Sequence, residues 1–261
     1  METASNNITL NLNSDEKVTL KGIIEPIEDM SPNFHEEWDA LANLRVHEPE
    51  KEFSTSVFHA FLPNNPVAIG ECWQVEETGV LELLRQLNPE PNLDMHIDIG
   101  DSSGLWATLL AYNDQQAHVV FRIHAEFALT DGWFTPSHFA GDLIIDQTKE
   151  DVVYFRLHVP EGKWFDVNWK KYKDDSDFVY STAAGVCPQI ELYGGKQDLL
   201  KDIEYNTFIT QEKAEHILLQ QFYKSNQIEW IPFGEAYETA QAEQKPIHVL
   251  SIDGPLDDEA C

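Results

Sequence analysis

Short-range alternation of apolar and polar residues dominates the first two thirds of the chain. "ITLNLN" (8–13) and "KVTLKGII" (17–24) alternate over short spans, the period of a half-buried strand. "SPNFHEEWDALANLR" (31–45) changes period. Ser31 is placed as an N-cap, Pro32 at the first helical position, and Phe34, Trp38 and Leu41 share one face, which predicts a helix. "GVLELLRQLN" (79–88) carries Leu81, Leu84 and Leu87 on one stripe and stops before Pro89, a second amphipathic helix. From 105 to 169 strand signals are dense: "LWATLLAY", "HVVFRIHAEFAL", "DLIID", "VVYFRLHVP" and "FDVNW", separated by "NDQQ", "TDGWFTPSHFAGD" and "QTKED". Runs so spaced, with turn residues between them, predict a mainly antiparallel sheet. The charged loop "KKYKDDSDF" then leads to "QIELYG" (189–194), read as the last strand of this unit.

Beyond it the pattern becomes helical. "TQEKAEHILLQQFY" (210–223) opens on Thr210, with Glu212 and Glu215 following, and places Ile217, Leu218 and Phe222 inward. "IEWIPF", "GEAYETAQAEQ" and "KPIHVLSID" read as an extended piece, a helix rich in alanine, and a buried-type strand. That order begins an α/β unit and does not finish it. The fold class is therefore α+β: a β-rich, mainly antiparallel domain over 1–205, a connecting helix over 206–224, and an incomplete α/β start over 225–261.

Charge narrows the partners. The 46 Asp and Glu against 17 Lys and Arg leave a net charge of −29 across 261 residues, a field that repels phosphate backbones and anionic bilayers. Neither nucleic acid nor a membrane is an expected partner. The N-terminus "METASNNITLNLNSDEK" has no basic n-region or apolar h-region, and no apolar window of about 18 residues occurs, so the chain as written reads as cytoplasmic.

The three cysteines, Cys72, Cys187 and Cys261, are too scattered for a disulfide framework or a four-ligand zinc site. Cys72 and Cys187 lie in strand-like apolar stretches and read as small buried hydrophobes. "FRIHAEF" (121–127) puts His124 and Glu126 two residues apart, hence on one side of a continuous strand, with His138 and Asp142 following. Such a set could bind a metal. A hydrogen-bonded network with Arg122 or Arg156 is the expected reading, and no metal ligands are assigned. The aromatic group Trp133, Phe134, Phe139, Trp164 and Trp169 is expected in the core. No phosphate loop, nucleophile elbow or pair of catalytic carboxylates occurs, so no cofactor is expected.

"WIPFGEAYETAQAEQKPIHVLSIDGPLDDEAC" (230–261) resembles the entry into the thioredoxin-like domain of the selenoprotein N family, where a helix and strand lead through an aspartate-rich turn to a Cys-Sec-Gly motif. "VVFRIHAEFAL", "FTPSHFAGDLIID", "FRLHVP" and "VNW", in that order, resemble another segment of the same family. The resemblance implies that 225–261 starts a thioredoxin-like domain, that Cys261 is the catalytic thiol, and that the next codon is the UGA of selenocysteine, leaving the chain truncated just short of it. It implies a thiol/selenol-disulfide oxidoreductase of protein disulfides, with a possible homodimer. Two features depart from the animal members. "DMHIDIGDSSG" (94–104) places Gly100 where a calcium ligand should stand, and the membrane anchor of those members, which reside in the endoplasmic reticulum, is missing. A bacterial-type homologue is expected.

As written, the chain lacks selenium. Asp257, Asp258, Glu259 and the terminal carboxylate disfavour a Cys261 thiolate relative to the ordinary cysteine value of about 8.5. The 261-residue product is thus expected to be inactive. The alternative class is a non-catalytic β-rich interaction module whose terminal cysteine is incidental.

Overall fold

A computed structural model describes residues 7–26, 44–93, 104–129, 132–136, 138–160, 167–172, 179–185, 187–195, 203–222, 228 and 230–249. In chain order these form β1 (Lys17–Ile24), β2 (Glu50–Ser54), a 3-10 helix (Thr55–Phe61), β3 (Cys72–Gln74), α1 (Glu77–Leu84) and β4 (Pro91–Asn92). There follow β5 (Leu105–Tyr112), β6 (Gln116–Ile123), β7 (Glu126–Leu129), β8 (Gly132–Pro136), β9 (Phe139–Asp146) and β10 (Asp151–His158). The remainder comprises β11 (Val167–Tyr172), β12 (Val179–Gly185), β13 (Ile190–Gly195), β14 (Thr207–Phe208), α2 (Gln211–Phe222) and α3 (Phe233–Glu243).

The α+β class holds, with antiparallel pairing throughout the described strands. One sheet runs in the order β14-β5-β6-β9-β10-β13-β1-β2, with β3 also on β5; a second runs β12-β11-β8-β7-β4. Alternation along the central strands sorts the first sheet into two faces. Leu105, Ala107, Leu109, Val119, Phe121, Ile123, Leu143, Phe155, Leu157 and Leu192 fill the inner face. The 3-10 helix, α1 and the segment carrying Leu10 and Leu12 cover it.

A phenylalanine cluster joins those layers. Phe61 meets Phe121 at 4.4 Å and Phe155 at 5.5 Å, Phe58 meets Phe155 edge-on at 5.1 Å, and Phe121 stacks on Phe155 at 5.7 Å. Tilted and edge-on arrangements suit the ring quadrupoles. Gly141 in β9 lets the Phe121 ring lie across the strand, because a methyl there would overlap both that ring and the Arg156 carbonyl oxygen. At the β9–β10 bulge between Val152 and Tyr154, the facing residue is Gly195, whose φ of +91° a side chain would strain.

Several expectations require correction. Residues 8–13 make only an isolated bridge, Ile8 to Val67, because Leu10 and Leu12 both point into the core and their backbone joins no ladder. Much of "TDGWFTPSHFAGD" is strand, β8 plus the start of β9. Its Gly and Pro end the strand rather than exclude it. β11 and β12 enclose the charged loop, so "QIELYG" is preceded by a hairpin and followed by β14, and is not the last strand. "HVVFRIHAEFAL" breaks at His124–Ala125, where the chain passes from the first sheet into the second. β2, β3 and β4 have too few apolar positions to show a period. The helix expected over 31–45 falls largely outside the described residues, and its last two positions, Leu44 and Arg45, are not helical.

Candidate functional site

Cys261 and the acidic turn before it lie outside the described residues, so the site is built from the segment that approaches them. Pro232 precedes α3 with an extended backbone, and its carbonyl accepts from Glu235 and Ala236 N–H groups at 2.9 and 3.2 Å. The helix ends on Gln244 in the left-handed conformation, φ 55°, and Lys245 N–H closes the turn on the Ala240 carbonyl at 3.0 Å. Residues 245–249 carry no secondary structure and pair with no strand among the described residues, so the strand expected over 245–253 is not found in its described part. α3 and this tail form a cleft of about 470 Å³ lined by Ile228, Trp230, Ile231, Ala236, Ile247 and Val249. Its apolar side chains stay wet: Phe233 is 77% exposed and Val249 67%.

A second group of chemistry-bearing residues crosses the outer face of the first sheet. His118 on β6 meets Asp142 Oδ1 on β9 at 2.8 Å. Asp142 faces Arg156 across the β9–β10 register, and Arg156 donates to Glu191 on β13 from Nε at 2.9 Å and Nη2 at 3.4 Å. Gln189 Nε2 adds a 2.7 Å bond to Glu191. Basic and acidic groups thus alternate over four adjacent strands. Burial would lower the Arg156 guanidinium, but the bonded Glu191 carboxylate outweighs it and holds Arg156 above its ordinary value. Tyr205, beside this ladder, is raised by burial first and then by the Asp142 charge. The sequence reading named Asp142 and Arg156 without pairing them correctly. Only strand register shows that His118, Asp142, Arg156 and Glu191 are neighbours.

The remaining candidates separate. His124 and Glu126 do not share a strand, because the sheet-to-sheet passage falls between them; both are buried. Glu126 accepts from Asn92 at 2.6 Å, and the His124 ring stacks on Phe222 at 4.3 Å. Asp142 joins His118. Among the described residues, no three His, Cys, Asp or Glu side chains are placed to share a metal. Phe139 is core, edge-on to Phe127 at 6.2 Å, while Trp164 and the side chains of Trp133, Phe134 and Trp169 fall outside the described residues.

The two described cysteines are structural in their surroundings. Cys187 is buried and donates to the Glu25 carbonyl at 3.3 Å. Burial pushes the Cys72 thiol up to about 11, with Thr108 opposing and the Glu71 charge adding to the rise. Cys72 is thus the opposite of an exchanging cysteine, whose pKa is depressed. No helix among the described residues is long and apolar enough to cross a membrane.

The chain is similar to three vertebrate proteins, each called selenoprotein N. The Danio rerio protein is 28% identical over 241 residues, covering 79% of this chain and 42% of its own length. The Homo sapiens protein is 26% identical, covering 86% and 46%, and the Mus musculus protein 27% identical, covering 85% and 50%. The chain spans about half the length of the curated relatives it matches. No protein-family model matches the sequence, and no solved structure matches the fold.

Proposed function

Because the chain belongs to the selenoprotein N family, we propose that it serves a thiol/selenol-disulfide oxidoreductase of protein disulfides, with Cys261 as one half of the reactive couple. The relationship over 79–86% of the chain carries this reading. Support comes also from the helix α3 ahead of Cys261, the element expected before the motif at the opening of a thioredoxin-like unit.

In the proposed step a selenolate beside Cys261 attacks one sulfur of a protein disulfide. The S–S bond breaks, the departing sulfur takes a proton, and a mixed selenium–sulfur bond forms. The Cys261 thiolate then attacks selenium and displaces the remaining substrate sulfur. The substrate leaves as a dithiol, reduced by two electrons, and the couple is left as a selenenylsulfide. A thiol reductant restores it.

A second reading, a non-catalytic β-rich interaction module, is favoured by one observation: both described cysteines sit in surroundings that suppress exchange. Insulin reduction separates the two. The natural polypeptide should reduce insulin, and Cys261→Ser should bring turnover to background; equal turnover in both rejects the redox reading. A recombinant polypeptide of residues 1–261 alone, without a second chalcogen, should not exceed its own Cys261→Ser control.

A further inference from the structure

We propose that α2 is a releasable clasp: it closes over the outer face of β5 and β6, is latched at its end by Phe222, and masks the Cys72 thiol until it opens. The helix sits on a narrow base. Ala214 and Leu218 are its buried residues, and they rest on Leu110, Ala111 and Val120. A strip of two buried side chains is a small seat for a helix of 12 residues.

The seat also contains polar atoms that gain nothing from closure. Trp106 Nε1 and the Tyr205 hydroxyl are both buried with no hydrogen-bond partner among the described residues, and both side chains pack against the cluster under α2. Water would satisfy them on opening, so each favours release. Closure is supported at the far end. The Phe222 ring lies parallel to His124, 4.3 Å away at 6°, and the Arg122 guanidinium stands 5.6 Å from its centre. An apolar strip, two trapped polar groups and one aromatic latch describe an element that opens before the sheet does.

Cys72 reports the state of the clasp. It packs against the same cluster from β3, half-buried, with its thiol held at about 11. Opening wets it and uncovers Leu110 and Val120. The core thiol Cys187, 4% exposed, lies in the other cluster and should not respond. This holds whether or not Cys261 is a redox residue.

The test is alkylation of the whole chain by iodoacetamide at pH 8, with each cysteine quantified by peptide mass spectrometry. Phe222→Ala should accelerate Cys72 about tenfold, which corresponds to about 1.4 kcal/mol, with Cys187 unchanged. Tyr205→Phe removes the trapped hydroxyl while keeping the ring, and should slow Cys72 severalfold. Acceleration of Cys187 in parallel with Cys72 overturns the clasp in favour of general unfolding. A Cys72 rate unchanged in Phe222→Ala, or not slowed in Tyr205→Phe, overturns it as well.

Discussion

Replacing Gly141 by Ala tests the packing argument for the body at its tightest point. Gly141 lies in mid-β9, opposite Phe121 on β6 and Leu157 on β10. The added methyl would come closer to the Phe121 ring and to the Arg156 carbonyl oxygen than Cβ atoms are ever found. The ring cannot simply swing aside, because Phe61 and Phe155 hold it at 4.4 and 5.7 Å. The carbonyl belongs to the β9–β10 ladder and moves only if that ladder opens. Overpacking in a filled core costs about 1–3 kcal/mol, and two fixed obstacles place this site at the top of that range. Reduced freedom of the unfolded chain returns less than about 1 kcal/mol. A net loss of about 2 kcal/mol is expected, read as a lower urea midpoint by tryptophan fluorescence with an unchanged slope. Phe121→Leu clears the ring but not the carbonyl, so in a double-mutant cycle the two substitutions should couple by about 1 kcal/mol in the favourable direction. A Gly141→Ala protein within 0.5 kcal/mol of the parent (roughly the spread of a surface substitution), or strict additivity with Phe121→Leu, refutes the reasoning.

Three further substitutions probe the electrostatics. Asp146 Oδ1 accepts from Thr148 N–H, Thr148 Oγ1 and Lys149 N–H at 2.9, 2.6 and 3.0 Å in the β9–β10 turn; burial pulls its pKa up, but these bonds and the Lys149 charge outweigh it and hold it below the usual carboxylate value. The folded pKa being the lower one, the stabilisation is complete above the unfolded value of about 3.9 and is lost as pH falls through the folded value. Asp146→Asn should therefore cost about 1 kcal/mol at pH 7 and progressively less below pH 4 (the unfolded aspartate range, roughly), and a urea-midpoint deficit that persists unchanged in acid contradicts this. At the Arg156–Glu191 pair the side chains are 33% and 9% exposed, so removing Arg156 orphans the deeper charge. Arg156→Ala should destabilise by about 3 kcal/mol and Glu191→Ala by clearly less, and the reverse order in urea titrations would sink the assignment.

Legibility in the sequence followed burial geometry. β5, β6, β9 and β10 could be read because each is an apolar-rich run with one face in a filled core, and α2 because Thr210 caps it, its Oγ1 accepting from Lys213 N–H at 3.2 Å. β8 was obscured because Gly132 and Pro136 at its two ends carry stronger turn signals than its three middle residues carry strand signal. The His124–Glu126 pairing failed for a different reason. Period-2 reasoning assumes an unbroken strand, and nothing local announces that a chain will change sheets at Ala125. The His118–Asp142–Arg156–Glu191 ladder draws on four strands whose order, β6-β9-β10-β13, is a product of topology. The resemblance reached further than periodicity because it does not depend on knowing which strands are neighbours.

The body and the C-terminal segment differ in how they are held, and that difference shapes the functional reading. In the body each inward position meets another filled position, so the sheet, the 3-10 helix and α1 stand or fall together. In α3 only Ala236 is buried, while Phe233, Tyr237 and the flanking Trp230 and Ile231 stay exposed. An isolated helix of 11 residues is marginal in water, its nucleation offset by too few bonds. α2 lies between these extremes, with two buried residues and an aromatic latch. Local stability therefore falls from the sheet through α2 to the segment that approaches Cys261. A proposed exchange centre carried at the low end of that gradient can adapt to varied protein disulfides, while the β platform keeps its shape.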